Sequence, residues 1–411
     1  MEYDIFFLEL ASKLNNKILL SVIKIFLILI GIPIALSQSN ETRDPDLGEL
    51  YSTRPSMAQS QIEEFEKIVQ FHKDNSQPLW APIPGWAYGY DSQPQPDHQV
   101  KAPSPGNRAL QIGEDQDELN RLLTIEGSNA TYSRLDIRHA QDVIDWFPDD
   151  YPPMPDIIKY GPEALIGEGP DWGCGSCHLP NGKARPSNAA TAGLPAAYQV
   201  QQLYDMRNGL RYSADPRKPN TPNMIRMAIA MTDEEIHESA EFWAAVPWTR
   251  RMYVIEADMI PEMYLNPDNN MFFTVGTEPT EPLAGRIVET PIDIYQANYL
   301  RNPRTGLNVY VPVGSIAKGE DLVINGGNGK TVQCKICHGP DLMGLGMIPG
   351  IAGRQPSYMM RQLYDFKQGT RNGVYASLMQ PTIANLSIED MTNIVAYLAS
   401  IIPTTPSTKE P

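Results

Sequence analysis

The sequence predicts a mainly α-helical protein, in which two copies of one helical unit are joined by an insert of short strands and preceded by an irregular N-terminal extension. Two observations support this prediction. The four cysteines of the chain all belong to two copies of the pattern Cys-x-x-Cys-His, at Cys174–His178 and Cys334–His338. The sequence that follows each copy repeats at the same offset with helical periodicity, so the repeated unit is larger than the pattern itself.

The chain begins with a segment typical of an export signal. Lys13, Lys17 and Lys24 precede an apolar run, IFLILIGIPIAL, and the sequence ALS that ends at Ser37 is a small-residue cleavage site. The run is shorter than the roughly 20 residues that span a bilayer. We therefore predict a signal peptide over 1–37 and an exported, periplasmic protein. An uncleaved N-terminal anchor is the alternative.

Residues 38–152 are predicted to form an extension rich in proline and aromatic residues, without a recognisable motif. The stretch 77–100 places two tryptophans and two tyrosines among prolines, and a helix is predicted near Arg138 to Trp146. We expect an extended arm that packs against the first helical unit. A surface for a partner or substrate, built from these aromatics, is the alternative.

The pattern Cys-x-x-Cys-His is compatible with three chemistries. A redox dithiol needs two thiols but no adjacent histidine, and a zinc site could take four thiolates from the two pairs. Covalent haem attachment uses all three residues, because both thiols bond the porphyrin and the histidine reaches the iron. Only six histidines occur in the chain, and two of them directly follow the cysteine pairs. The pattern therefore predicts two covalently attached haem c groups, with Cys174, Cys177 and the axial ligand His178 in the first site and Cys334, Cys337 and the axial ligand His338 in the second.

The two helical units are predicted over 153–247 and 316–403. The stretch 192–211 aligns without gaps on 352–371, and each copy has the pattern of a helix. In the second copy Pro356 suits a first helical turn and Gly369 a C-terminal cap, and Gly209 has the place of Gly369 in the first copy.

Each unit is predicted to end with an amphipathic helix. Thr232 opens the sequence TDEE and Ser387 opens SIED, and both predict capping boxes. In the second unit one face of this last helix is apolar, with Met391, Ile394, Val395, Leu398 and Ile402.

A methionine precedes the last helix at the same spacing in both units. Met224 and Met379 are predicted to lie on loops and to provide the second axial iron ligand, because a thioether favours ferrous iron. In the first unit Met227 and Met231 are alternatives to Met224. Met379 has no such competitor in its loop.

The insert between the units is predicted over 248–315. The runs MYVIEA, MFFTV, GRIVET and LNVYVPVG are β-branched or aromatic and are bounded by Pro, Asn and Gly, so they predict short strands. We expect a small sheet that fixes the two units relative to each other. Residues 404–411 are predicted to be a disordered tail.

The net charge of −16 argues against nucleic acid or an anionic membrane surface as a partner. We expect the cations of the second unit to form a solvated face. An alternative is that they dock an acidic partner. The cations in question are Lys330, Lys335, Arg354, Arg361, Lys367 and Arg371.

Each unit resembles a class I c-type cytochrome, and the tandem is similar to the two-haem periplasmic cytochromes of that class. The matching features are Cys-x-x-Cys-His, the helix that contains QLYD, and the stretch LMQPTIANLSIEDMTNIVAYLAS. The resemblance implies two cytochrome c-type helical domains and an axial histidine whose second ring nitrogen is held by a carbonyl, often that of a proline. Pro349 has this place in the second unit and Ala189 in the first. We therefore expect the histidine hydrogen bond, and with it the potential, to differ between the two haems.

The resemblance implies an exported dihaem cytochrome that transfers single electrons between redox partners, rather than an enzyme. Arg211 and Arg371 occupy the same register and are predicted to pair with haem propionates. Two alternatives stay open. The chain could be the cytochrome subunit of a periplasmic dehydrogenase complex, with a membrane-bound dehydrogenase or oxidase as its partner, or a haem enzyme in which the methionine of the first unit dissociates.

Overall fold

The computed structural model describes residues 59–89, 116–166, 172–186, 188–215, 218, 220–266 and 271–404. The predicted signal peptide, and the predicted tail apart from residue 404, lie outside these residues.

The described residues are mainly helical, as the sequence predicts. In chain order the helices are α1 Gln59–Asp74, α2 Gly85–Tyr88, α3 Gln116–Asn120, α4 Arg134–Arg138, α5 Asp156–Tyr160, α6 Cys174–His178, α7 Ala196–Arg207, α8 Asn220–Ala230, α9 Asp233–Ala245, α10 Ser315–Glu320, α11 Lys335–His338, α12 Pro356–Gln368, α13 Ala376–Ile383 and α14 Ile388–Ser400. The strands are β1 Leu122–Leu123, β2 Tyr132–Ser133, β3 Met252–Glu256, β4 Met259–Asn266, β5 Met271–Pro282, β6 Val288–Pro291, β7 Leu307–Val311, β8 Gly344–Leu345 and β9 Ile348–Pro349.

The first helical unit contains α5 to α9. Helix α7 packs against both α8 and α9, and α9 also contacts α5. Ile158, Ile236 and Trp243 belong to the apolar core of this unit. The predicted capping box of α9 is confirmed: the Thr232 hydroxyl accepts a hydrogen bond from the N–H of Glu235, whose carboxylate accepts one from the N–H of Thr232.

The second helical unit contains α10 to α14. Helix α14 packs against α10 and α12. Its predicted capping box, formed by Ser387 and Asp390, is confirmed. The predicted apolar face is buried at Met391, Ile394, Val395 and Leu398, whereas Ile402 lies beyond the end of α14 and is exposed.

Two local predictions are wrong. The methionine segments are helices instead of loops, since Met224 lies in α8 and Met379 in α13. Ala, Leu, Met and Gln have high helix propensities, and around Met379 they outweigh Pro381. The helix predicted near Arg138 to Trp146 is absent, because the helical residues are those of α4. The Nδ1 atom of His139 accepts hydrogen bonds from the N–H groups of Gln141 and Asp142 and turns the chain out of the helix.

The insert forms the predicted strands and one more. In its three-stranded sheet, β7 lies between β3, to which it is parallel, and β6, to which it is antiparallel. The antiparallel pair of β4 and β5 includes a strand that was not predicted, because Pro261 interrupts its pattern. β4 is an edge strand whose register shifts on both sides of Pro261, which is where a sheet tolerates proline.

The extension packs against both helical units. Helix α1 buries Phe65, Ile68 and Val69 in a cluster with residues of α7 and α8, so the predicted packing on the first unit is confirmed. The prediction that this part of the extension is an extended arm is wrong, because it forms a helix of 16 residues. Helix α2 extends this packing to the second unit. There Tyr88 is buried in the core, and its hydroxyl donates to the Asp365 carboxylate at 3.2 Å.

The two helical units meet through a short antiparallel bridge between Arg211 and Arg371. Next to it, the N–H of Tyr212 donates to the carbonyl of Thr370 at 2.9 Å, and the N–H of Asn372 donates to the carbonyl of Leu210 at 2.7 Å. Corresponding residues of the two repeats thus contact each other across the interface.

Among the described residues, no helix is both long enough and apolar enough to cross a membrane.

Candidate functional site

Each Cys-x-x-Cys-His pattern forms about one turn of helix. The first is α6, and in the second Cys334 is the N-cap residue of α11. The two thiols of each pattern stand at i and i+3, which places them on one face of the turn. All four thiols are free. Each turn therefore presents two thiols and the histidine that follows them.

Both histidines are held through the same ring nitrogen. The Nδ1–H of His178 donates to the carbonyl of Ala189, and that of His338 donates to the carbonyl of Pro349, each at 2.8 Å. Within the described residues, Nε2 of neither ring has a hydrogen-bond partner. The expected difference between the two units in this bond is wrong, because a backbone carbonyl is all that the ring needs and alanine supplies one as well as proline does.

The protonation of these groups suits metal coordination. Burial lowers the pKa of His178 and of His338, against the opposing effect of the carbonyl hydrogen bond. Both rings are therefore neutral at pH 7, the form in which imidazole binds a metal.

The environment of the thiols disagrees with a redox dithiol. Burial raises the pKa of the Cys174 thiol to about 12 and that of Cys334 to about 11, whereas reactive dithiols have lowered thiol pKa values. The described residues contain no group of three or more His, Cys, Asp or Glu side chains that could hold a metal ion.

Each predicted methionine packs in the same hydrophobic cluster as a motif cysteine or in an adjoining one. Met379 and Cys334 pack against the same hydrophobic cluster of the second unit. In the first unit, Met224 packs in one cluster and Cys174 in a neighbouring one, and Leu203 contacts both.

Exposure separates Met224 from its two competitors. Met227 and Met231 are only 8% and 6% exposed, and each belongs to the hydrophobic core. Met224 is partly exposed, so its thioether has more freedom to contact a bound group than the other two.

The two motif turns differ in what covers them. In the first unit the segment 140–159 lies against α6, and the N–H of Gly173 donates to the carbonyl of Ala140 at 2.8 Å. A Cβ atom at Gly173 would lie 2.1 Å from the carbonyl oxygen of Lys159, and one at Gly175 would lie 3.1 Å from Cγ1 of Val143. Glycine at both positions therefore permits this close contact.

In the second unit the corresponding positions are occupied by Gln333 and Lys335, and the turn faces solvent. Ile336 is 61% exposed, whereas its counterpart Ser176 is 3% exposed. This difference in exposure was not predicted. The sequence did contain a signal for it, because the first motif reads CGSCH, with small residues between the cysteines, and the second reads CKICH, with larger ones.

Positive charge also lies close to the first motif. Arg185 and Arg301 are near the Cys177 thiol, and burial lowers the pKa of both guanidinium groups, that of Arg301 to about 9. In the part of the chain that the structure describes, neither forms an ion pair with a carboxylate. This pair was not predicted, because the two arginines come from distant parts of the chain.

Arg211 and Arg371 lie at the interface between the helical units. The guanidinium group of Arg211 donates to Gln202, Tyr358 and Gln362 at 2.7 to 3.0 Å. That of Arg371 donates to Gln362, Tyr198 and Gln202 at 2.7 to 3.1 Å. Their predicted pairing with haem propionates stays a prediction. The tyrosines and glutamines were not predicted, although each is identical in the two aligned repeats.

Comparison with known proteins gives the following relatives. No family model matches the chain. Over 88 residues it is 36% identical to cytochrome c-554(548) of Halomonas halodenitrificans, a match that covers 21% of this chain and 96% of that protein. Over 156 residues it is 28% identical to the thiosulfate dehydrogenase electron acceptor of Thiomonas intermedia, covering 36% of this chain and 70% of that protein.

A longer match covers more than half of the chain. Over 244 residues the chain is 22% identical to cytochrome c4 of Pseudomonas aeruginosa, and the match covers 58% of this chain and 89% of that protein. The similarity thus extends well beyond a single Cys-x-x-Cys-His pattern.

Proposed function

Since this chain belongs to the c-type cytochromes with two covalent haem c groups, which transfer single electrons, we propose which residues hold each haem. The first haem is bonded to Cys174 and Cys177, with His178 and Met224 as axial ligands. The second is bonded to Cys334 and Cys337, with His338 and Met379 as axial ligands. Haem supplies the iron that takes up and releases the electron.

The observation that carries this proposal is the hydrogen bond from Nδ1 of each histidine to a backbone carbonyl. It fixes the tautomer in which Nε2 bears the lone pair, and it holds the ring in one orientation for a metal. The free thiols on the same helical turn supply the two covalent anchors that haem c requires.

The surrounding residues set the conditions for electron transfer. The methionine thioether favours ferrous iron and so raises the reduction potential. The hydrophobic clusters around Cys174, Met224, Cys334 and Met379 exclude water and lower the local dielectric constant. If a histidine and a methionine of the protein held each iron, as proposed, no substrate would need to reach it.

A dehydrogenase is a suitable electron donor. The relative from Thiomonas intermedia is named as an electron acceptor of thiosulfate dehydrogenase, and we propose the same kind of partnership for this chain without specifying the substrate. The alternative that the chain is a subunit of such a complex leaves the chemistry of the haems unchanged. Export to the periplasm rests on the sequence of residues 1–37.

The covalent attachment is tested by the mass of the intact protein after maturation in a host that attaches haem c. We expect two covalent haem groups, and loss of residues 1–37 if the signal is cleaved. The double variant Cys334→Ala, Cys337→Ala should retain one haem. A mass that equals the bare polypeptide would contradict the proposal.

The axial methionines are tested by spectroelectrochemical titration of Met224→His and Met379→His. Replacing a thioether by imidazole should lower the reduction potential of one haem in each variant by a few tenths of a volt, within the roughly 0.8 V range that axial ligands control. Met227→Leu and Met231→Leu are the matched controls and should leave both potentials near those of the unaltered protein. A large shift in Met227→Leu or Met231→Leu would reassign the ligand of the first haem.

A further inference from the structure

We propose that Arg354 is a positioning residue shared by both haem sites: it holds the two backbone segments whose carbonyls fix the axial histidines, and it thereby sets the reduction potentials of both haems together. The proposal rests on the proposed function and adds to it a residue outside the two Cys-x-x-Cys-His patterns. Only the second unit supplies this arginine, since Leu194 has its place in the first repeat.

The hydrogen bonds of Arg354 follow the repeat of the chain. The axial histidines donate to the carbonyls of Ala189 and Pro349. The guanidinium group of Arg354 donates to the carbonyl of the next residue in both units, from Nη1 to Ala190 at 3.1 Å and from Nε to Gly350 at 3.3 Å. Equivalent carbonyls of the two repeats therefore share one donor group.

Trp248 completes this arrangement at the next pair of equivalent carbonyls. Nη1 of Arg354 also donates to the carbonyl of Ala192 at 3.0 Å, and the indole N–H of Trp248 donates to the carbonyl of Ala352 at 2.9 Å. The guanidinium carbon lies 3.9 Å from the centre of the Trp248 ring, which is a cation–π contact. A Cβ atom at Gly193 would lie 2.9 Å from Cβ of Trp248, so glycine lets the tryptophan reach this place.

Arg354 carries its positive charge into the interior of the protein. Burial lowers the pKa of its guanidinium group to about 9, which leaves the group protonated at pH 7. A buried charge is costly unless its donors are bonded. The three carbonyls and the ring of Trp248 are therefore held in fixed positions around the guanidinium group.

The prediction that the cations of the second unit form a solvated face is wrong for three of them. Arg354, Arg361 and Arg371 are 4%, 5% and 7% exposed, because their guanidinium groups donate to carbonyls and side chains inside the molecule. The alternative that these arginines dock an acidic partner is not supported, for the same reason.

The contacts of Arg354 are made behind the two histidine rings. Nδ1 of His178 and of His338 points to the backbone carbonyls, and Nε2 is the nitrogen left for the iron. A group that holds the hydrogen-bond partner of an axial histidine fixes the ring, and a nearby positive charge favours the less positive, ferrous iron. Loss of Arg354 should therefore lower the reduction potentials of both haems.

The test is a redox titration of the holoprotein followed by NMR, which resolves the two haems. Arg354→Gln removes the charge and most of the donors. Arg354→Lys is the milder change, which keeps the charge but cannot reach all three carbonyls, and it decides alone if Arg354→Gln does not fold. Arg361→Gln is the matched control: it removes an equally buried charge of the same unit, whose guanidinium group donates to the carbonyls of Ala87 and Ser357.

In Arg354→Gln we expect the equilibrium constant for reduction of each haem to fall about tenfold, which lowers the potential of a one-electron couple by about 59 mV. Hydrogen exchange at Nδ1 of both axial histidines should be faster in the reduced protein, because the carbonyls that accept these bonds are held less firmly. Arg354→Lys should show the same changes at both haems, to a smaller extent. Arg361→Gln should leave both exchange rates and the potential of the first haem unchanged.

The proposal is overturned if the Arg354 variants leave the potential and the exchange rate of either haem site unchanged. It is equally overturned if Arg361→Gln shifts both potentials as much as Arg354→Gln does, since any buried charge would then have this effect. Failure of the proposed function is seen separately, as fewer than two covalent haem groups in the mass of the unaltered protein.

Discussion

Gly173 lies against the carbonyl oxygen of Lys159, and a Cβ atom would come within 2.1 Å of it. Gly173→Ala should therefore lower the free energy of unfolding by about 1–3 kcal/mol, because backbone must move to make room. Urea unfolding of the holoprotein measures this change. The corresponding change in the second unit, Gln333→Ala, meets no such contact and serves as the control. Equal effects of the two substitutions would mean that the segment 140–159, which covers α6, can move without a loss of stability.

Asp365 gives the protein a specific pH dependence. Burial raises the pKa of its carboxyl group to about 6 from a usual value of 3.8, against the opposing effects of the Ala214 N–H and of Arg361. The folded protein therefore binds more protons than the unfolded chain between these pH values. Stability falls as the pH rises through this interval and stays lower above it.

Asp365→Asn should remove this loss. Its amide oxygen can still accept hydrogen bonds from the Ala214 N–H and the Tyr88 hydroxyl, which now donate to Asp365. The unaltered protein should lose free energy of unfolding between pH 4 and pH 7.5, and the variant should not. The difference between the two proteins in this change should be about 1–3 kcal/mol in favour of the variant. Thermal unfolding of both proteins at both pH values measures this. If the variant and the unaltered protein showed the same change in stability between the two pH values, ionisation of Asp365 would not destabilise the folded protein.

At the residue scale, the sequence predicts chemistry better than surroundings. Cys-x-x-Cys-His defines its three residue types without any knowledge of the fold, so the histidines could be singled out directly. The carbonyl of Ala189 could not be predicted, because any residue supplies a backbone carbonyl and only the path of the chain decides which one approaches His178. The approach of Arg185 and Arg301 to Cys177 could not be predicted for the same reason, because it also depends on the path of the chain.

Ser387 stabilises the last helix of the second unit through its capping box. Ser387→Ala should lower the free energy of unfolding by about 1 kcal/mol, because the N–H of Asp390 loses its acceptor at the start of α14. Ser377→Ala, at an exposed position in α13, is the control and should have a much smaller effect. Chemical denaturation of the two variants compares them, and a similar loss in both would argue against a capping role.

At the element scale, elements with local signals were predicted and those with conflicting signals were not. The helices α9 and α14 begin at capping boxes, which are read from four consecutive residues. Strand β4 was missed because Pro261 is acceptable only at an edge strand, and a sequence does not show which strand is at the edge. Helix α13 was missed because the segment that contains Met379 was predicted to be a loop before the last helix, although its Ala, Leu, Met and Gln residues are strong helix formers.

Arg354 joins the two helical units. Its guanidinium group donates to the carbonyls of Ala190 and Ala192, at 3.1 and 3.0 Å, and lies 3.9 Å from the centre of the Trp248 ring. Arg354→Leu should lower the free energy of unfolding by about 3 kcal/mol, because two carbonyls between the units lose their donor. The two units should then unfold at different temperatures.

Calorimetry of the holoprotein tests this prediction, and Lys318→Ala is the control. Lys318 belongs to an exposed ion pair with Glu389, which contributes little to stability, so its loss should cost less than about 1 kcal/mol. A single transition of unchanged midpoint in Arg354→Leu would show that other contacts suffice to couple the units.

At the scale of the whole molecule, the sequence predicts the number and kind of the helical units but not their arrangement. A repeat at constant offset indicates two similar folds. It does not indicate which faces of them meet, because the contacts that join them are made by residues far apart in the chain. The arginines of the second unit illustrate this limit: they were predicted to be solvated, and three of them are buried at contacts between elements.

The reciprocal interface around Arg211 and Arg371 has the form of contact that two identical subunits make in a symmetric dimer, in which each residue meets its counterpart's neighbours. A chain with a single such unit could pair with its own copy through the same tyrosine, glutamine and arginine, but only at sufficient concentration. When both units belong to one polypeptide, each has a high effective concentration near the other, whatever the concentration of the protein. The two redox centres therefore stay associated at any dilution of the protein.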